Sequence, residues 1–214
     1  MSRTELAAGI VAVAQAIDRA GFCPSKSGNV SARTEGGFLI TPSGLPYAQT
    51  TPDDLIEISL DGVVLSGARK PSSEWPFHAA IYQARPEAQA IVHTHSPRAT
   101  ALSSTRRGIP AFHYMIALCG GADVRCADYA TFGTPELAEN AVKALEGRKA
   151  VLLANHGVIG LGGSLAGAHQ IAAEVENLAG QYLDILAAGL EPVILDAAEM
   201  ERVSAKFAGY GKVG

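Results

Sequence analysis

Ala90-Ile91-Val92-His93-Thr94-His95-Ser96 is a short apolar run that ends in two histidines one residue apart. It is rich in β-branched residues, so it predicts a buried strand over 90–94. Side chains alternate along a strand, so His93 and His95 share a face, and both imidazoles can converge on one ion at the strand end. A second apolar run, Val151–Ala154, is followed by the turn Asn155-His156-Gly157, and neighbouring strands would bring His156 beside the first pair. Glu74, at the opening of a helix that begins near Pro76, can add a carboxylate. Three histidines and a carboxylate make a first-row divalent metal site, with zinc favoured by ligand type. The plainer reading is that these are structural histidines with satisfied ring nitrogens, and an isolated His-x-His does not decide between the two. Three of the six histidines fall at strand ends, which tips the balance toward a metal. His113 fits less well, and His78 and His169 fall inside helices, where packing or exposure explains them better than ligation.

The segments around these strands alternate between helices and hairpins. Leu6, Ile10, Val13 and Ile17 recur at helical spacing, and Gly21 supplies a left-handed stop. Extended pieces at Val30–Arg33 and Gly37–Thr41 are joined by the turn Glu35-Gly36-Gly37. Ile56-Glu57-Ile58 and Val63–Leu65 flank Asp61-Gly62, a strong hairpin signal. The Pro76 helix runs to about Arg85, before Pro86. Thr134-Pro135-Glu136 opens a helix that Gly147 closes. A long helix spans Ser164 to about Ala188, and Asp196 with Glu199 caps a last one that ends near Phe207. Helices interleaved with strands predict an α/β fold, a layered sheet flanked by helices.

Composition narrows the classes of function. The 214 residues suit one domain over 1–214, and a fold of this size buries roughly 70% of its unfolded surface. An apolar share of 48% rules out disorder. Seventeen basic against twenty-one acidic residues give a net charge of -4, which argues against nucleic-acid or anionic-membrane partners. No apolar run reaches the roughly 20 residues of a membrane span, and the N-terminus reads as an amphipathic helix, not a signal peptide. Cys23, Cys119 and Cys126 are odd in number and lack a CxxC spacing, so free thiols in a reducing, cytoplasmic compartment are expected. A small molecule is the default partner.

Three turns resemble anion cradles: Ser25-Lys26-Ser27-Gly28-Asn29, Thr41-Pro42-Ser43-Gly44, and Ser72-Ser73 ahead of a helix N-terminus. Singly each is weak, since such turns are mostly just turns. No GxGxxG or Walker A pattern occurs, which disfavours dinucleotides and nucleoside triphosphates.

Taken together, Gly28-Asn29-Val30-Ser31, Thr41-Pro42-Ser43-Gly44, Pro71-Ser72-Ser73-Glu74-Trp75, Val92-His93-Thr94-His95-Ser96 and Asn155-His156-Gly157 occur in the order seen in the class II aldolase/adducin family. Ile109–Ala117 followed by Gly120-Gly121, and Tyr129–Thr134, resemble its aldolase branch. The resemblance spans essentially the whole chain, and Lys26 departs from the pattern, which usually has a small residue there.

The resemblance implies a single-domain three-layer αβα sandwich around a mostly antiparallel mixed sheet, assembled as a homotetramer with active sites between subunits. It implies one Zn2+ per subunit on Glu74, His93, His95 and His156, and a substrate phosphate on Asn29, Ser43, Gly44, Ser72 and Ser73. Glu74 and Tyr114, the latter from the adjacent subunit, match catalytic positions. Phe132 and the chain end around Tyr210 match the aldehyde side of the pocket, near Lys26. The implied reaction is reversible cleavage of a ketose 1-phosphate to dihydroxyacetone phosphate and a small aldehyde. Its substrates would be of the L-fuculose, 5-deoxyribulose or 5-methylthioribulose 1-phosphate type. The alternatives are a ribulose-phosphate 4-epimerase or sugar-acid phosphate decarboxylase of the same fold, and a non-catalytic adducin-like binding module. Glu74 and the segment His113-Tyr114-Met115 favour the aldolase. An unrelated His-x-His metallohydrolase lacks a suitably placed aspartate.

Overall fold

Burial along Ala90–Thr94 is complete, as it must be for a strand at the centre of a sheet covered on both faces. The computed structural model describes residues 2–209; Tyr210 lies outside them. The strands are β1 (Asn29–Arg33), β2 (Phe38–Ile40), β3 (Ile56–Ile58), β4 (Val64–Ser66), β5 (Ala90–Thr94), β6 (Ile109–Pro110), β7 (Asp123–Ala127), β8 (Ala150–Leu153) and β9 (Gly157–Gly162). Among the described residues they form a nine-stranded sheet in the order β4-β3-β2-β1-β5-β9-β8-β7-β6. Only the β7–β8 pairing is parallel, so the sheet is mixed and mostly antiparallel.

Among the described residues six α-helices complete it: α1 (Arg3–Arg19), α2 (Trp75–Ala84), α3 (Pro97–Ser103), α4 (Pro135–Ala144), α5 (Leu165–Ala187) and α6 (Ala197–Gly209). Their starts follow local chemistry. Ser2 and Glu5 form a reciprocal capping box at α1, Thr134 Oγ1 accepts from Leu137 N at α4, and Asp196 Oδ1 accepts from Glu199 N at α6. Side chains that alternate along the strands build two cores. Ile91, Val151, Leu153 and Ile159 meet Phe77 and Ile81 of α2 and Leu137 and Ala141 of α4. On the opposite face Val30, Ala90 and Val92 meet α1 and the start of α5, while Leu152 and Val158 meet α3, the rest of α5 and Met200 of α6. The result is the expected three-layer αβα sandwich, in which each large buried side chain contributes about 1.5–3 kcal/mol. Among the described residues no helix is long and apolar enough to cross a membrane.

The predicted elements are present within a residue or two, but four others were not anticipated: α3, β6, β7 and β9. β9 matters most. It lies between β5 and β8, so those two strands are not direct neighbours. His156 reaches the other histidines from the β8–β9 turn, with β9 paired antiparallel to β5. Glycines at 157, 160 and 162 remove the side chains by which a strand is read from sequence. Gly160 and Gly162 are needed because α5 presses on the strand: a Cβ on Gly160 would lie 2.8 Å from Ala172 N.

Candidate active site

Each metal-type ligand sits at or near one end of a regular element. His93 is in β5 and His95 just past it, on one face as the strand period requires. Asn155, in the left-handed region at φ 54°, turns the chain out of β8 and delivers His156. Gly157 lets this turn close on β5, since a Cβ there would stand 2.4 Å from Thr94 O and 3.1 Å from His95 Cδ2. Glu74 occupies the N-cap of α2, yet its side chain does not cap that helix. It points instead to the histidines, with Oε2 3.2 Å from His93 Nε2 and Oε1 3.1 Å from His156 Nε2. His95 Nε2 lies 3.0 Å from His93 Nε2. One ligand atom from each of the four residues falls within 4.8 Å of the others.

This arrangement fits a divalent cation. His93 Nδ1 donates to Val158 O at 2.9 Å, which leaves a lone pair on Nε2 aimed at the centre. Glu74 Oε1 is buried without a hydrogen bond. Unprotonated nitrogens and carboxylate oxygens held this close repel one another, and a cation among them turns the repulsion into coordination. Burial and then the neighbouring His93 and His156 push His95 down to about 3, so its ring is neutral and able to ligate. Burial opposes ionisation of Glu74, but positive charge and N–H donation from the His93 and His156 side, a role that a bound cation would take over, hold the carboxyl below its ordinary range.

The three donor-rich turns converge beside this quartet. Pro42 and Pro71 pair as an isolated bridge, Ser43 N donates to Lys70 O at 3.0 Å, and Ser72 N donates to Thr41 O at 3.1 Å. Val30 N donates to Thr41 Oγ1 at 3.2 Å and so ties β1 to the same loop. Tyr47 OH donates to Gly28 O at 2.6 Å, and Gly28, at φ 84°, has no room for a Cβ against His93 O. A cleft of about 280 Å³ results, lined by Asn29, Ser43, Gly44, Ser72 and Ser73 on one side and by Glu74, His95 and His156 on the other.

The fold and this constellation have counterparts among known proteins. Residues 8–183 match the family model for the class II aldolase and adducin N-terminal domain. The chain belongs to the class II aldolase and adducin family. It is 50% identical to the 5-methylthioribulose-1-phosphate/5-deoxyribulose-1-phosphate aldolase of Rhodospirillum rubrum, over 98% of this chain and 94% of that protein. It is 45% identical to the L-fuculose phosphate aldolase of Escherichia coli (strain K12), over 99% and 98%. A solved structure of an L-fuculose 1-phosphate aldolase superposes with a TM-score of 0.93 at 40% identity, covering 97% of this chain and 98% of that one.

Other residues that the class II aldolase resemblance singled out fall in two places. Lys26 and Phe132 line the cleft, joined by Ser27, Tyr129 and Asn155, which had not been assigned to the pocket. Lys26 and Ser25 both take left-handed backbone, at φ 65° and 57°, a conformation that costs a lysine more than a glycine. Tyr114 lies elsewhere. It opens a 3-10 turn, Tyr114–Cys119, on the α5–α6 side, where its half-exposed ring stacks on His113 and Phe207. Among the described residues of one chain it does not line the cleft.

Proposed function

We propose that this protein is a zinc-dependent aldolase that reversibly cleaves a ketose 1-phosphate to dihydroxyacetone phosphate and a small aldehyde. The reading is carried by one conjunction: a three-histidine, one-carboxylate quartet and three donor-rich turns share a single cleft. A phosphate on Asn29, Ser43, Gly44, Ser72 and Ser73 brings the adjoining carbons of dihydroxyacetone phosphate to the quartet. Zinc held there by Glu74, His93, His95 and His156 supplies Lewis-acid stabilisation of the negative charge left when the C3–C4 bond breaks. Cleavage removes a proton from the C4 hydroxyl and adds one at C3, where the electron pair remains. Glu74 stands beside the quartet: in condensation its carboxylate takes the proton from C3, and in cleavage the protonated acid returns it there. Tyr114, supplied by a neighbouring subunit of a homotetramer, handles the proton on the C4 oxygen.

Tyr129 and Phe132 give the cleft an aromatic surface beside Lys26, and we assign it to the aldehyde side. Such a surface discriminates weakly, since a methylene is worth about 1–3 kcal/mol. The named activities of the relatives support the same class: ketoses with a small terminal group, of the L-fuculose, 5-deoxyribulose or 5-methylthioribulose 1-phosphate type. Three unpaired cysteines support a reducing, cytoplasmic setting. The test is a panel of ketose 1-phosphates assayed for dihydroxyacetone phosphate. Release from at least one member is expected; none released, with ribulose 5-phosphate epimerised instead, would overturn the aldolase reading.

A further inference from the structure

A chain of buried polar side chains leads from the quartet into the core, and the reaction above uses only its first two members. Asn29 Nδ2 donates to Glu74 Oε2 at 2.9 Å. Asn29 Oδ1 lies 2.5 Å from His78 Nε2, His78 Nδ1 lies 2.7 Å from Ser31 Oγ, and Ser31 Oγ lies 2.8 Å from the Tyr82 hydroxyl. Asn29, Ser31, His78 and Tyr82 are all at most 2% exposed. The His78 ring is stacked against Phe77 and Phe38, at centroid separations of 4.6 and 6.3 Å. Burial and then His93 push its pKa down to about 3, so at neutral pH the ring carries a single N–H.

Only one hydrogen-bond polarity satisfies every member. The Glu74 carboxylate can only accept, so the Asn29 amide turns its NH2 toward Glu74 and its oxygen toward His78. A neutral His78 must then donate from Nε2 and accept at Nδ1 from the Ser31 hydroxyl, which accepts in turn from Tyr82. The other tautomer sets the Nε2 lone pair against Asn29 Oδ1, or flips the amide and sets that oxygen against Glu74 Oε2. Either outcome leaves buried acceptors facing each other.

We propose that His78 is a positioning residue: it fixes the Asn29 amide so that one N–H holds Glu74 and the other stays available to an anion in the cleft. Asn29 thereby ties the metal half of the site to its phosphate half, and His78 sets which end of the amide both halves meet. The proposal deepens the aldolase reading and rests on its metal and phosphate assignments.

The test is a double-mutant cycle with His78→Phe, Asn29→Ala and both together, plus His78→Gln, with zinc affinity by chelator competition and KM for a cleaved ketose 1-phosphate as readouts. His78→Phe is expected to weaken zinc by about 10–100-fold and to raise KM about tenfold. His78→Gln, which keeps a donor toward Asn29, should recover most of both. The double variant should be no worse than Asn29→Ala. Wild-type behaviour of His78→Phe, or losses that add, would overturn the proposal. Independently of any variant, 15N NMR of the zinc-loaded wild type should give His78 protonated at Nε2; protonation at Nδ1 would refute the assignment even if His78→Phe does not fold. A wild type that binds no zinc and releases no dihydroxyacetone phosphate counts against the aldolase reading itself, and the tautomer still decides the role of His78.

Discussion

His95 is the ligand whose loss should separate metal from fold. It sits past the end of β5, partly exposed at the mouth of the quartet, so its removal opens no deep cavity. His95→Ala is expected to abolish bound metal and activity together while the metal-free fold keeps its melting temperature within a few degrees; stoichiometric metal in that variant would contradict the ligand set. Ser73→Ala removes one donor from the phosphate side. A charge-assisted hydrogen bond contributes about 1.5–3 kcal/mol, so KM for a phosphorylated ketose should rise by about one to two decades with turnover of an unphosphorylated sugar unchanged. His78 bears on stability as well as position. Its ordinary value of 6.5 is depressed in the fold to about 3, so between these pH values the unfolded chain binds a proton that the folded chain does not. Stability therefore rises with pH across that window, and each unit below 6.5 costs about 1.4 kcal/mol at this residue. Urea unfolding of the metal-free protein at pH 7, 6 and 5 should show the loss, with a shallower slope in His78→Phe.

Elements reveal where the sequence is readable and where it is not. α4 and α6 were legible because capping side chains announce their starts, α1 because its apolar residues recur at helical spacing, and β5 and β8 because apolar β-branched runs do. β9 was hidden. All of its residues but the last are buried, and Gly157, Gly160 and Gly162 stand where a strand normally shows side chains. What selects glycine there is α5 pressing on one face and the histidines on the other, and both contacts are tertiary. Gly160→Ala should therefore destabilise the protein by about 1–3 kcal/mol as the new Cβ meets Ala168 O and Ala172 N, read as a lower urea midpoint. A midpoint unchanged from wild type would mean that α5 shifts freely off the sheet. The same blindness applied to His78. On sequence it is a packed histidine in a helix, and packed it is; the partners that give it direction come from β1 and its own helix, one of them 49 residues away. The metal ligands were more legible, because strand ends and a helix start bring them together by simple alternation.

At the scale of the whole molecule, the proposed reaction needs a group for the proton on the C4 oxygen. Tyr114 is the residue that the family resemblance assigns to that task, and it lies on the α5–α6 side with its ring 49% exposed. If Tyr114 has that role, its place away from its own chain's cleft is explained when a neighbouring copy supplies it, as in a closed ring where every subunit gives one face and receives the other. Each site would then combine the quartet of one subunit with the tyrosine of the next. Tyr114→Phe and His95→Ala proteins should each be inactive alone. Mixed at equal amounts after subunit exchange, a site works only if its cleft comes from the Tyr114→Phe chain and its tyrosine from the His95→Ala chain. Random exchange in a closed ring thus predicts that about a quarter of sites recover. Sedimentation should show a tetramer throughout. Recovery near zero in demonstrated mixed tetramers, or full activity in a monomer, would rule out the shared site and require the C4 proton to be handled within one chain, where Tyr129 is the tyrosine that lines the cleft.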